Sequence, residues 1–315
     1  FPLHYDDILD EAVTKWRTQG HGVLTDGAHI LPILGNMAAW LERIPPQARE
    51  LCWTHVVDIG IYWLLADYRQ RIRTRLIGSI VGKIKEEESA GNGSPQCSVI
   101  AHSLGTIVGH DVIHALGATR WGGNDNPLGP KQWRFNALFM LANTSRLLRT
   151  DYDPYASIVR PGPIDSAASY CSRYYNIRHE FDPVPVPEEF SPTGWGADIR
   201  TIEVDHFRDV NIHGFGHYLL HPKVHIPILK TLVNPNAVTD AERDRAVSPD
   251  GFAQWDMPAL EDVARRRLLA ELSTLITDLR TKTRIEDVLA AFNAFHCLLQ
   301  EIGGTPQTPT IPISP

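Results

Sequence analysis

The stretch that most restricts what this chain can fold into is Val99-Ile-Ala-His-Ser-Leu-Gly105, followed by Thr-Ile-Val-Gly-His110. Cys97 to Ala101 is a short apolar run of strand length, and Gly105 to Leu116 carries a helical pattern. Only a tight turn fits between them, and a serine stands at its apex. A strand, a sharp turn and an immediate helix make a nucleophile elbow. A serine hydroxyl is a poor nucleophile at its own pKa, so it must stand exposed beside a base. The first turn of the helix adds free N–H groups and a dipole that face a developing oxyanion. Small residues on both sides, Ala101 and Gly105, are expected to relieve crowding, so the motif reads AxSxG rather than GxSxG. Gly109 is expected to let the helix pack close to the sheet.

An acid and histidines follow in order. Tyr175-Asn-Ile-Arg-His-Glu-Phe-Asp-Pro-Val184 runs from strand-like residues into a loop holding Asp182. A carboxylate just past a strand end is placed to hold an imidazole in the right tautomer. Asp-Pro is also a common turn start, and Glu180 is the alternative acid. Beyond a further strand pattern comes His213-Gly-Phe-Gly-His217-Tyr-Leu-Leu-His221-Pro222. His213 and His217 can each face Ser103. His217 is preferred because it directly precedes Tyr218-Leu219 and Pro222, which open the last helix of this part. Histidines 213, 217, 221 and 225 also recur every four residues, which on one helix would stack them as metal ligands. Gly214, Gly216 and Pro222 argue against a continuous helix, and no HExxH accompanies them, so no metal is expected.

Elsewhere the pattern alternates strands and helices. Phe135 to Ala142, Tyr174 to Ile177 and Ile199 to Val204 are strand candidates, which predicts an α/β fold with a mainly parallel sheet flanked by helices. Tyr5 to Arg17, Met37 to Leu41 and Tyr68 to Lys85 read as helical, and Lys85 to Gln96 as a loop. Leu260 to Leu299 reads as a helical C-terminal region, either a lid or a face that packs on the core. Residues 1–240 are expected to form the main domain, 241–304 a helical extension packed on it, and 305–315 a Pro-rich tail. The 315 residues are 43% hydrophobic and 21% charged, enough for a large core and far from disordered composition. Lys+Arg 30 against Asp+Glu 37 gives a net charge of -7, which argues against a nucleic-acid partner. No apolar run approaches the ~20 residues of a membrane span. Cys52, Cys97, Cys171 and Cys297 form no CxxC pair, which suits a reducing compartment, so a cytoplasmic location is expected. The chain opens on Phe1 rather than Met, so a targeting segment removed upstream also fits.

With Ser103, Asp182 and the histidines in this order, the sequence resembles an α/β-hydrolase serine esterase or lipase over roughly residues 55 to 235. A narrower similarity is to bacterial hydrolases distantly like the DDHD-type intracellular phospholipases A1. It rests on Val57-Asp58-Ile-Gly-Ile-Tyr62, Tyr68 and Ile72, Ser98 to Gly105 with His110-Asp111-Val112, Asp182-Pro183-Val184 and His217-Tyr218-Leu219. The resemblance implies an α/β-hydrolase-like fold and a cofactor-free serine hydrolase that cleaves a lipid or short-chain ester. Ser103 would attack, His213 or His217 would shuttle the proton, Asp182 would orient the imidazole, and the Leu104 N–H would be one oxyanion donor. The usual second donor follows an earlier strand that this chain would have carried before Phe1; His21-Gly22 has no strand leading into it. The competing expectation is an inactive member of the fold serving as an interaction protein. Arg146, Arg149 and Arg160 are candidates for greeting an anionic head group, or for pairing with surface carboxylates.

Overall fold

A computed structural model of the chain describes residues 1–19, 62, 65–91, 95–117, 134–147, 153–163, 169–182, 184–185, 189–196, 198–206, 212–248, 251, 270–271, 273–275 and 277. The expectations for Met37 to Leu41, His21-Gly22, Arg149, Cys52, Cys297, most of Leu260 to Leu299 and the 305–315 tail lie outside these residues. So does the 241–304 extension as a unit.

Four strands, β1 (Ser98–His102), β2 (Phe135–Leu141), β3 (Cys171–His179) and β4 (Ile199–Val204), form one sheet in sequence order. All three pairings are parallel, with Ala101 opposite Met140, Met140 opposite Asn176 and Asn176 opposite Thr201. The described architecture is therefore α/β, an all-parallel sheet flanked by helices. Parallel neighbours need long crossovers, and those crossovers cover the faces of the sheet. That is why β2 reads FNALFML rather than alternating: both of its faces are dry. Leu138 and Met140 join the core formed with α1 (Asp6–Gln19), α2 (Ala66–Ser89) and α3 (Leu104–Gly117). Ala137, Phe139 and Leu141 point the other way, onto Tyr218 of α4 (Phe215–Leu220) and Val224 and Ile228 of α5 (Pro222–Leu232).

The helix α2 buries Ile72, Leu76, Ile77, Ile80, Val81 and Ile84, the helical stripe visible in the sequence. It runs past Lys85, where a loop was expected. Lys83 pairs with Glu86 at 3.1 Å and Glu87 at 3.0 Å, one turn along, so charge does not break the helix there. The stop comes at Ala90, followed by Gly91 in the left-handed region with φ 82. On α3, buried Asp111 accepts two bonds from Arg73 Nη2, each 2.8 Å, and one from Tyr62 Oη at 2.7 Å. This pairing anchors α2 and Tyr62 to the helix that follows Ser103. A Cβ built on Gly109 would meet the Ala101 Cβ at 3.7 Å, an ordinary contact. Close approach to the sheet therefore does not require glycine at 109, contrary to the expectation.

The four-residue histidine ladder is not one helix. His213 precedes α4, His217 lies on it, His221 caps α5 by accepting the Lys223 N–H at 3.1 Å, and His225 lies inside α5. Pro222 at the first position of α5 forces the break that the sequence suggested. Among the described residues no helix is long and apolar enough to cross a membrane.

Candidate active site

The chemistry-bearing residues collect at the carboxyl ends of the strands, where a parallel sheet leaves its crevice. Ser103 follows β1 directly, and its φ of 53 is one of two positive values among described non-glycine residues. For an L residue this is an uncommon and strained conformation, held only when its surroundings over-determine it. The restraints are visible. Ser103 N–H donates to Leu141 O at 3.0 Å, and its carbonyl accepts from Thr106 N–H at 2.8 Å. That carbonyl also accepts the Thr106 and Thr144 hydroxyls at 2.7 and 2.8 Å. Thr144 sits in the turn after β2, so the neighbouring strand helps to hold the serine's backbone.

His213 Nε2 lies 2.7 Å from Ser103 Oγ, and His213 Nδ1 lies 2.8 and 3.0 Å from the Asp182 oxygens. A carboxylate only accepts, so Nδ1 carries the hydrogen and Nε2 offers its lone pair to the serine hydroxyl. Asp182 is 0% exposed, with Ser103 and His213 each 4% exposed. Burial pushes the Asp182 carboxyl up, but more acts against it. The His213 charge and hydrogen bond, the Tyr218 hydroxyl at 2.6 Å and the Val184 N–H at 3.0 Å together hold it at about 2. Tyr218 itself is raised well above its ordinary value, first by burial and then by the Asp182 charge.

The structure thus brings together Ser103, Asp182 and His213. His217, the histidine preferred from the sequence, is directed elsewhere. It lies within α4, where its ring stacks on His206 at 4.1 Å and 9° and its Nε2 donates to His206 O at 3.2 Å. His213, in the turn before α4, is the histidine at hydrogen-bond distance from Ser103, while His217 lies inside α4 itself. Glu180 N–H donates to Val204 O, and the residue is exposed. Leu104 is the first residue of α3, so its N–H belongs to a turn with no acceptor inside the helix. Arg146 pairs with Asp153 at 3.4 Å and lies over the Tyr155 ring at 4.6 Å, the surface-carboxylate alternative.

Several contributors went unnoticed in the sequence. Tyr218 was read as a helix marker, yet it is the second donor on Asp182. His102 donates through Nε2 to His213 O at 2.6 Å, tying the histidine's backbone to the residue before the serine. Asn143 Nδ2 donates to Tyr174 Oη and to Asn176 Oδ1, both at 3.0 Å, and buttresses the turn that carries Thr144. A buried hydroxyl or amide next to a strand end is too common a pattern to stand out in one sequence.

Among the described residues, one group has the composition and spacing to hold a metal ion: His179, His206 and His217. Comparison with family models, with curated proteins and with solved structures finds no significant match. The functional reading therefore rests on geometry.

Proposed function

We propose that the chain is a serine hydrolase of α/β-hydrolase type that cleaves a carboxylic ester, lipid or short-chain, through an acyl-enzyme. The observation that carries the reading is the unbroken chain from Ser103 Oγ through His213 to Asp182. In the first step Ser103 Oγ attacks the ester carbonyl as His213 Nε2 takes its proton. Asp182, held ionised, stabilises the imidazolium and keeps Nδ1 as the donor. The Leu104 N–H faces the oxygen that becomes the oxyanion. The protonated imidazole then donates to the leaving alcohol, and water repeats the sequence on the acyl-serine. No cofactor enters these steps.

One observation favours a second reading, an inactive member of the same fold that acts by binding. Ser103 and His213 are each only 4% exposed, which leaves little of either residue open to an ester. Labelling with a fluorophosphonate decides between the two. The hydrolase reading expects stoichiometric labelling of the native chain and none of Ser103→Ala, with ester turnover in the variant reduced on the order of 10⁶-fold. A folded native chain that resists labelling and hydrolyses no ester in a chain-length series supports the binding reading instead.

A further inference from the structure

The histidines that do not face Ser103 form a second buried site. We propose that His179, His206 and His217 bind one transition-metal ion of the zinc type, as a structural clamp behind the Asp182 loop. This goes beyond the hydrolase reading and does not depend on it.

The three residues come from different parts of the fold: the last position of β3, the segment after β4, and α4. Each offers a ring nitrogen within 4.8 Å of the others, and all three side chains are buried. Zinc bonds of about 2.0–2.1 Å in a tetrahedral site place ligand nitrogens roughly 3.4 Å apart. Side-chain rotation by on the order of 1 Å closes that gap. Burial favours neutral imidazole, the form that coordinates. Nitrogen ligands with no carboxylate among them suit zinc, copper or nickel rather than magnesium or calcium. A further imidazole, that of His221, has its ring centroid 5.0 Å from that of His206.

The metal-free contacts show both the preorganisation and what binding must displace. His179 Nε2 and His217 Nε2 donate to the same atom, His206 O, at 2.6 and 3.2 Å, so two ring nitrogens already converge on one point. His206 Nε2 donates to His217 O at 3.0 Å. A neutral imidazole has one N–H and one lone pair. Coordination through Nε2 therefore moves the ring proton to Nδ1, with no net gain or loss of protons. At His179 this gives up two hydrogen bonds for one metal–nitrogen bond: the one that Nε2 donates to His206 O at 2.6 Å and the one that Nδ1 accepts from the Phe181 N–H at 3.1 Å. The stacked His206 and His217 rings must also part to present their nitrogens to one ion.

A bound ion would lock elements that support Asp182. His179 N–H donates to Tyr218 Oη at 3.1 Å, and Tyr218 in turn donates to Asp182. The clamp thus acts on the acid's surroundings and touches no reacting atom.

The test uses the full chain, stripped with a chelator and returned to metal-free buffer. Zn²⁺ is titrated calorimetrically with melting followed in parallel, and Co²⁺ by visible absorption. The expected result is one equivalent per chain, an intense low-coordinate cobalt spectrum and a rise in the melting temperature. His206→Ala should bind at least about 100-fold more weakly and lose the thermal response. If circular dichroism shows His206→Ala unfolded, His206→Gln replaces it, and the wild-type cobalt spectrum needs no variant. Absence of stoichiometric binding by the folded wild-type chain overturns the proposal. Binding that survives unchanged in the folded variant also overturns it, because surface histidines are then the ligands.

Discussion

One buried imidazole and a cluster of three lie at the carboxyl end of one sheet, and they differ in what their ring nitrogens meet. At Ser103 one imidazole is held between a hydroxyl and a carboxylate, His213 Nε2 at 2.7 Å from the first and Nδ1 at 2.8 Å from the second. At His179, His206 and His217 the imidazoles face each other and backbone carbonyls, with no carboxylate in the group. The first arrangement polarises a proton path in one direction, because acceptor, donor and base are ordered. The second gathers lone pairs and N–H groups with no charge to order them. A histidine's chemistry is thus set by what occupies its second nitrogen, and residues four apart in sequence fall into different chemistries.

The sharpest way to break this contrast is to remove its carboxylate. Asp182→Asn keeps the shape but lets the amide hold the wrong imidazole tautomer, and ester turnover should fall on the order of 10⁴-fold. Steady-state kinetics on the ester found by screening checks this, and a loss under tenfold would show that Asp182 is not the orienting acid. His217→Gln attacks the other side of the comparison. It breaks a buried hydrogen-bonded stack, and urea unfolding should report a loss of about 2 kcal/mol.

Tyr218 joins the two regions and should show a smaller effect than either. Tyr218→Phe removes the 2.6 Å bond to Asp182 and the acceptor of the His179 N–H. Turnover should drop about tenfold, equivalent to about 1.4 kcal/mol. Its acid limb should move to higher pH, since one of the groups lowering the Asp182 carboxyl is gone. An unmoved acid limb would separate Tyr218 from the acid's electrostatics.

The last effect is graded with pH. Burial, with a lesser contribution from the charge of His114, depresses His110 from 6.5 to about 3. The folded state therefore refuses a proton that the unfolded chain accepts. Stability from this group is complete above 6.5 and is lost as pH falls from there toward 3, by on the order of 1.4 kcal/mol per unit. Asp182 has the same sign of dependence in a more acidic window: its folded value of about 2 lies below the ordinary 3.8, so its contribution stays intact until pH drops below about 4. Melting temperatures between pH 7 and 4 should fall for the native chain and fall less for His110→Gln. Equal slopes for the two proteins would remove His110 from the account.

Much of the scaffold could be read from periodicity. Ile199–Val204 has the same limits in sequence and structure, and the Ile72 to Ile84 stripe of α2 is buried as its spacing required. The turn at Ser103 was legible because strand and helix patterns leave no room for anything longer between them. The end of α2 is not legible in the sequence, since charge density resembles a loop while i,i+4 pairing sustains a helix. The second donor on Asp182 and the Thr106–Thr144 clamp were invisible, because they join residues 36 and 38 positions apart.

Local and periodic features are written in the chain itself: a parallel-sheet pattern, a serine on a strand–turn–helix junction, and an acid and histidines after it in order. Long-range packing places His213 rather than His217 against Ser103 and brings His179, His206 and His217 together. Those choices depend on how loops from different strands cross above the sheet, and packing across the chain decides which nitrogen meets which oxygen. Sequence spacing carries no record of that crossing, because a single turn at Gly214 and a break at Pro222 redirect residues that share one spacing.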